Sequence, residues 1–319
     1  MNHPVFRIFL FTLFVTISSH AYTNTSIDSL KPFDNSRYFT VDSLIVHCRV
    51  WNDTMVHPRG KVLLVHGFIG SSFSWRENVD TLIKSGYYVV CVDMPGFGYS
   101  DRNPEFNQSQ GNRATFLLKL IDMIDPMVQW NLVGHSMGGG TVEAMALMRP
   151  DRIRSLTIVD GMVFLKSESM KGAFVTLSRN KQYKRAFSSV VKKNMFTYGM
   201  IERLSKKNIG YKPDSAFVLG YLEPLLLPGT AECVINVWAN AKESEVLKAV
   251  GFSKFPILVV WGEKDKTIYL SKGKRFVKHV PSAELKIIPG AYHDPMETHP
   301  GIFNDYLVGF LNTTNELMN

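Results

Sequence analysis

The stretch Asn131–Gly140 reads NLVGHSMGGG. An apolar, strand-like run ends in a serine, and glycines crowd round it. Glycine within regular structure costs on the order of 0.5–1 kcal/mol relative to alanine. Four of the seven residues from Gly134 to Gly140 are glycine, so the local geometry must require them. Gly134-His135-Ser136-Met137-Gly138 fits G-x-S-x-G at a strand-to-helix bend. Such a bend holds the serine on a strained backbone with its hydroxyl pointing out of the sheet. Gly134 and Gly138 leave room for strand and helix to approach. The helix starting at Met137 directs its N-terminal dipole at the hydroxyl, where negative charge is favoured. The competing account is a tight turn with an idle serine; the strand before it and the helix after it favour an exposed nucleophile.

Outward from this stretch, the chain alternates. Lys61–Gly67, Tyr87–Gly96, Trp130–Ser136, Arg152–Gly161, Phe255–Gly262 and Leu285–Gly290 are short apolar runs ending in or near glycine. Runs of this kind suit strands buried on both faces of a parallel sheet. Ser43–Trp51 instead alternates, with Leu44, Val46, Cys48 and Val50 on one face and His47 and Arg49 on the other, as a half-buried antiparallel strand does. Helical spacing occupies Trp75–Lys84 and Thr115–Ile124, and Thr141–Met148 is rich in good helix formers and stopped by Pro150. The pattern predicts a doubly wound α/β sheet led by an antiparallel hairpin. It breaks between Met162 and Val250, where helical segments dense in Lys, Arg and aromatics replace the buried strands. This is read as a helical cap, residues 162–250, inserted into a core formed by residues 22–161 and 251–319.

The chain has 319 residues, 45% hydrophobic and 20% charged, with a net charge of +8. That is ordinary for a globular protein able to bury a large core. Residues 1–21 carry one positive charge, Arg7, then an apolar run from Ile8 to Ile17, then Ser19-His20-Ala21. This is the pattern of a secretory signal peptide cleaved after Ala21, and it predicts a secreted or periplasmic protein. The alternative is an uncleaved anchor, but the apolar run is too short to span a bilayer as a helix. Three cysteines make no disulfide framework, and Cys48 and Cys91 read as core residues. Asn24, Asn52, Asn107 and Asn312 each begin an N-x-S/T triplet, relevant only in a glycosylating host. His293, Glu297 and His299 lie close in sequence but surround a turn and a proline, so no metal site is expected there.

A serine hydroxyl is a weak nucleophile until a base takes its proton. His135 adjoins Ser136, but neighbouring side chains on this turn diverge. His66 ends a strand and His299 precedes a proline. His293, in GAYHDP after the last strand-like run, falls on the same sheet edge as Ser136 and is the expected base. Its carboxylate partner is expected to be Asp265, in WGEKDKTI after Gly262. Asp160 is the other credible acid, Glu263 sits in the immediate turn, and Asp294 reads as a turn residue. The loop VHGFIGSS (Val65–Ser72) leaves a strand, and the Phe68 N–H together with the Met137 N–H would make an oxyanion hole.

These residues resemble the α/β-hydrolase superfamily. The similarity rests on HGF after a strand, the loop Asp93-Met94-Pro95-Gly96-Phe97-Gly98-Tyr99-Ser100, the elbow GHSMGG, the acid in GEKD and the histidine in GAYHDP, in that order from about Arg37 to Leu311. It implies a mostly parallel eight-stranded sheet. It carries the nucleophile, acid and base over to Ser136, Asp265 and His293, in the chain order of this fold's triads, and the oxyanion donors to Phe68 and Met137. Serine at the elbow, where dehalogenases and many epoxide hydrolases have aspartate, argues against those two chemistries. The implied reaction is two-step hydrolysis of a small-molecule acyl substrate through an acyl-enzyme, with no cofactor. Carboxylic esters are the leading expectation; C–C bonds, thioesters, amides and cofactor-free perhydrolysis use the same triad. A non-catalytic binding protein on this scaffold is the competing class, and three filled triad positions weigh against it.

From Lys166 to Lys212 there are twelve basic and two acidic residues, with Phe174, Tyr183, Phe187, Phe196, Tyr198 and Tyr211 interspersed. This face could meet an anionic membrane surface or an acidic substrate. The preferred account is a solvated helical face whose aromatics line the cap's own core. Nucleic acid is not expected as a partner, and the sequence leaves the oligomeric state open.

Overall fold

The structure is a computed structural model that describes residues 32–161, 180–240 and 254–317. The expected leader over residues 1–21, Phe174 and parts of the cap lie outside these residues. An eight-stranded sheet has the order β1-β2-β4-β3-β5-β6-β7-β8. Its strands are β1 (Ser36–Val41), β2 (Leu44–Trp51), β3 (Lys61–Val65), β4 (Tyr88–Val92), β5 (Trp130–His135), β6 (Ile153–Val159), β7 (Ile257–Gly262) and β8 (Ala283–Ile288). β1 and β2 form the antiparallel hairpin, β2 pairs antiparallel with β4, and every pairing from β4 through β3 to β8 is parallel.

The apolar runs form strands because each side chain along them finds a covered face. Val62 and Leu64 of β3 enter one core; Leu63 and Val65 enter the other. The same two-residue period splits β4 and β7 between the faces. Fully burying one such side chain contributes roughly 1.5–3 kcal/mol. One core is closed by α1 (Val79–Lys84), the short α9 (Pro295–Thr298) and α10 (Pro300–Leu317), the other by α2 (Gln110–Ile124), α3 (Met137–Met148) and α8 (Ser271–His279). Three expectations change. α2 starts five residues before Thr115. The segment from Trp75 opens as a 3-10 turn, Ser72–Trp75, before α1. β8 is only partly buried along most of its length, because it is the edge of the sheet.

β2 departs from simple alternation. His47, expected to face outward, is fully buried. Its ring bonds Asp93 Oδ2 at 2.7 Å and Ser36 Oγ at 2.8 Å. Asp93 also accepts from the backbone N–H groups of Ser72 and Tyr99. The D-x-P-G-x-G-x-S loop is thus folded around its own aspartate. A Cβ at Gly98 (φ +54°) would collide with the Asp93 carboxyl group, so glycine is obligatory there.

Between β6 and β7 lie the cap helices α4 (Lys181–Met195), α5 (Tyr198–Ile209), α6 (Ser215–Leu225) and α7 (Thr230–Asn240). Side chains of Asn180, Thr197 and Asp214 accept from first-turn N–H groups of α4, α5 and α6, which satisfies donors a helix start leaves unpaired. Val191, Phe196, Ile201, Val218 and Leu222 join the same core as α2 and α3. Phe196 is buried and Phe187 half-buried, whereas Tyr183, Tyr198 and Tyr211 are exposed. The two described phenylalanines pack inward, as the solvated-face account requires, but the three tyrosines do not.

Candidate active site

Ser136 lies between β5 and α3 with φ +51° and ψ −116°, a left-handed conformation that is strained for a residue with a Cβ. Close packing maintains it. A Cβ at Gly138 would run into the backbone carbonyls of Val65 and His66, and one at Gly134 into the Gly138 carbonyl. The glycines therefore let α3 start against the ends of β3 and β5, which leaves the serine side chain at the sheet edge.

Parallel strands bring their C-terminal ends to one edge. There the three residues expected to act together meet. His293 Nε2 is 3.0 Å from Ser136 Oγ, and His293 Nδ1 is 2.8 Å from Asp265 Oδ2. The other Asp265 oxygen accepts from the N–H groups of Thr267 (2.7 Å) and Ile268 (3.0 Å). All three side chains are buried or nearly so beneath the cap. Burial opposes ionisation of Asp265, yet the hydrogen bonds and the His293 partner hold its pKa below the usual carboxylate value. The arrangement can move a proton from a hydroxyl to an imidazole backed by a carboxylate.

Of the two expected amide donors, Met137 directly follows the serine, and Phe68 lines the same cavity as Ser136. A Cβ on Gly67 would meet Ser136 Cβ at 3.2 Å and His135 Nδ1 at 2.9 Å, so the loop carrying Phe68 lies directly against the serine. Among the described residues, neither the Phe68 nor the Met137 N–H donates to a protein acceptor. His66 shapes this loop: its Nδ1 donates to the Gly67 carbonyl at 2.7 Å and its Nε2 accepts from the Met94 N–H at 3.0 Å.

Four further residues enter the site. Asp160, the alternative acid, directly follows β6 with φ +41° and is fully buried. Its oxygens accept from the Gly262 N–H at 3.0 and 3.3 Å, and one of its polar atoms lies within 4.8 Å of Asp265 and His293. Burial, then the Asp265 charge, raise its pKa well above normal. His135, set aside as the base, instead holds the loop of the expected one. Its Nε2 donates to the His293 carbonyl at 2.9 Å, and burial, then His293, push its pKa down to about 3, so it is a neutral donor. Asp294, 3.3 Å from His135, is raised to about 6, chiefly by burial. Asn208 of the cap helix α5 accepts the His293 N–H at 2.8 Å, and its side chain meets Thr267 Oγ1 at 3.2 Å. The cap thus grips both the histidine loop and the acid loop. No sequence signal marked Asn208, because nothing in its neighbourhood has catalytic spacing.

Glu297 and His299 do not join His293 as ligands. Glu297 pairs with Arg76 at 2.5 Å and accepts from Tyr221, while His299 bonds Thr298. Among the described residues, the two groupings with ligand-like spacing are His135–His293–Asp294 and Asp160–Asp265–His293, both already engaged in the network above.

Over Ser136 lies a cavity of about 250 Å³. Its apolar walls include Phe68, Ile69, Met195, Ile201 and Leu204, and Tyr221, whose hydroxyl is held by Ser74 and Glu297, also lines it.

The family described as the alpha/beta hydrolase fold matches residues 61–300. The chain belongs to this family. It is therefore an enzyme of the hydrolase class, and the family match spans β3 through the start of α10, including every site residue above. An uncharacterized hydrolase, YugF, of Bacillus subtilis is 25% identical over 281 residues, covering 86% of this chain and 97% of that protein. A 2-hydroxy-6-oxononadienedioate/2-hydroxy-6-oxononatrienedioate hydrolase of Burkholderia vietnamiensis is 28% identical over 291 residues, covering 86% and 95%. Among solved structures, a thermophilic esterase from Thermogutta terrifontis superposes with a TM-score of 0.69 at 19% identity, covering 88% of this chain and 99% of that one. At that identity the α/β-hydrolase fold is what the two share.

Proposed function

We propose that this α/β-hydrolase is a serine hydrolase acting on carboxylic esters through an acyl-enzyme. The observation that carries the reading is the continuous chain Ser136 Oγ–His293 Nε2, His293 Nδ1–Asp265 Oδ2, at 3.0 and 2.8 Å. His293 removes the Ser136 proton as Oγ attacks the carbonyl carbon. The Phe68 and Met137 N–H groups receive the oxyanion, a contribution of roughly 2.7–4 kcal/mol per donor in comparable sites. His293 then gives its proton to the leaving alkoxide. Water, activated by the same imidazole, releases the acid. Asp265 stays ionised and stabilises the transient imidazolium. A cavity of about 250 Å³ lies below the usual range for drug-sized ligands, which supports short acyl groups.

The decisive experiment is labelling with a fluorophosphonate, followed by peptide mapping and a p-nitrophenyl ester series of increasing acyl length. Label on Ser136, lost in Ser136→Ala, with turnover falling beyond short acyl chains, is the expected result. Folded protein that neither labels nor turns over any ester would overturn the reading. The second reading is carbon–carbon bond hydrolysis on the same triad, favoured by the names of the Burkholderia vietnamiensis protein and similar relatives. A vinylogous 1,5-diketone turned over faster than any ester would select it. We also propose that residues 1–21 are an export signal; a mature protein beginning at Tyr22 is the expected product in the secreted or periplasmic fraction.

A further inference from the structure

The catalytic reading accounts for Asp265 but leaves a second carboxyl group in the same closed space. Asp160 and Asp265 each place an oxygen within 4.8 Å of the other and of a His293 ring nitrogen. Asp160 is 0% exposed and Asp265 is 4% exposed. Two adjacent buried carboxylates cannot both ionise with one imidazole as their only compensating partner. The donors decide which of them is the anion. Among the described residues, Asp265 receives the His293 Nδ1–H and two backbone N–H groups, whereas Asp160 receives the Gly262 N–H alone. Among the described residues, the other titratable groups closest to this pair are Asp294 and His135, from the histidine loop and from β5, and neither is a cation that would favour an ionised Asp160.

We propose that Asp160 is a positioning residue that keeps its proton at neutral pH and donates it as a hydrogen bond to Asp265. The proposal rests on the triad reading above and extends it. A neutral donor on Asp265 restrains the carboxylate on the side away from His293. It also draws off part of the carboxylate's charge, so Asp265 stabilises the imidazolium less strongly. His293 is thereby kept neutral, and able to accept the serine proton, at lower pH. Burial and the Asp265 charge both act to hold the proton on Asp160. The rival account is purely structural: Asp160 only ties the end of β6 to the Gly262 N–H.

The test compares Asp160→Asn with Asp160→Ala. Asparagine retains a neutral N–H donor toward Asp265 and an acceptor for Gly262; alanine has neither. The acidic limb of kcat/KM reports the His293 pKa of the free enzyme. Asp160→Asn is expected to leave that limb in place. Asp160→Ala is expected to move it upward by about half a unit or more, because an undamped Asp265 favours the imidazolium. A downward shift in Asp160→Asn would mean that Asp160 is ionised, and the proposal fails. An unmoved limb in both variants reduces Asp160 to the structural role, and the proposal fails again. Loss of turnover in Asp160→Asn with Asp265→Asn active would make Asp160 the triad acid, which overturns the proposal and the triad assignment together.

Infrared difference spectroscopy needs neither turnover nor the alanine variant. Wild type minus Asp160→Asn should show a protonated-carboxyl C=O band near neutral pH, while the bands of Glu143, Glu297 and Asp294 cancel. A carboxylate band in its place overturns the proposal. Because this readout is independent of activity, it stands even if Ser136 proves not to be the nucleophile.

Discussion

The sheet edge and the cap over it solve different problems with different residues. At the edge, four consecutive parallel strands, β5, β6, β7 and β8, each deliver one polar residue just past their ends: Ser136, Asp160, Asp265 and His293. Each is buried, and each is hydrogen-bonded to another member or to backbone. The cap supplies apolar walls, a grip on His293 through Asn208, and most of the molecule's charge. The stretch Lys166–Lys212 alone has an excess of ten positive charges, more than the +8 of the whole chain. In the described part of that stretch, Arg185, Lys192, Lys193, Arg203, Lys206 and Lys207 are exposed. Lys184 instead is buried and donates to the Pro104 carbonyl, while Lys212, exposed like the others, pairs with Glu202 at 3.4 Å. The lesson is that position at the edge is over-determined by backbone geometry, whereas the cap surface is loosely determined.

If that contrast is right, substitutions at the edge should act on chemistry and those on the cap surface should barely register. The largest effect is expected from Ser136→Ala or His293→Ala. Either should lower kcat by roughly 10⁴-fold or more while the protein stays folded. Ester turnover near wild type in either would break the comparison at its strongest point. Asp265→Asn comes next, with a loss of roughly 10³–10⁴-fold, since the amide fails to hold the imidazole in the productive tautomer. Burst kinetics with a p-nitrophenyl ester would place that loss in acylation.

A stability effect should follow from α3, where Glu143 is 3% exposed and burial raises its pKa to about 8. The unfolded chain ionises Glu143 near 4.5, the folded chain only near 8. Glu143 therefore adds stability at low pH and loses it as pH rises through this window, by about 3 kcal/mol at pH 7. Glu143→Gln should abolish that slope. Its melting temperature should gain on wild type between pH 5 and 8, and a constant difference would refute the assignment.

The smallest effect is expected on the cap. Lys192 and Lys193 occupy the last turn of α4, where cations complement the helix dipole. Reversing both to glutamate should cost roughly 0.3–1 kcal/mol each at low salt. It should change kcat/KM for a neutral soluble ester by less than about twofold, since exposed charge is screened within about 10 Å at 0.1 M salt. A tenfold change would show that cap charge takes part in catalysis or substrate capture, and would erase the distinction between the two regions.

The motif-bearing loops and the alternation of elements were legible without coordinates. G-x-S-x-G has meaning because only glycine survives where α3 starts against β3, and the same crowding that demands Gly134 and Gly138 strains Ser136. His293 and Asp265 were legible because parallel strands return to one edge, so residues just past strand ends are neighbours despite their distance in sequence. His47 was misplaced for a related reason. Its strand alternates, but the Asp93 loop folds over the outer face and supplies partners that no local pattern announces. Tyr183, Tyr198 and Tyr211 read as cap core from composition, yet their hydroxyl-bearing rings tolerate water and the helices left them outside.

What the sequence determined by itself was the order of strands and helices, the strained turn, and which three residue types stand past which strand ends. These depend on short-range sterics and on periodic burial, and both are written in local residue choice. Tertiary structure alone decided which of two candidate carboxyls faces the imidazole, that His135 holds the His293 loop by its backbone, and that Asn208 reaches down from the cap. Each of these turns on a distance of about 3 Å between segments 28 to 158 residues apart, and hydrogen bonds at that range depend on how whole elements pack.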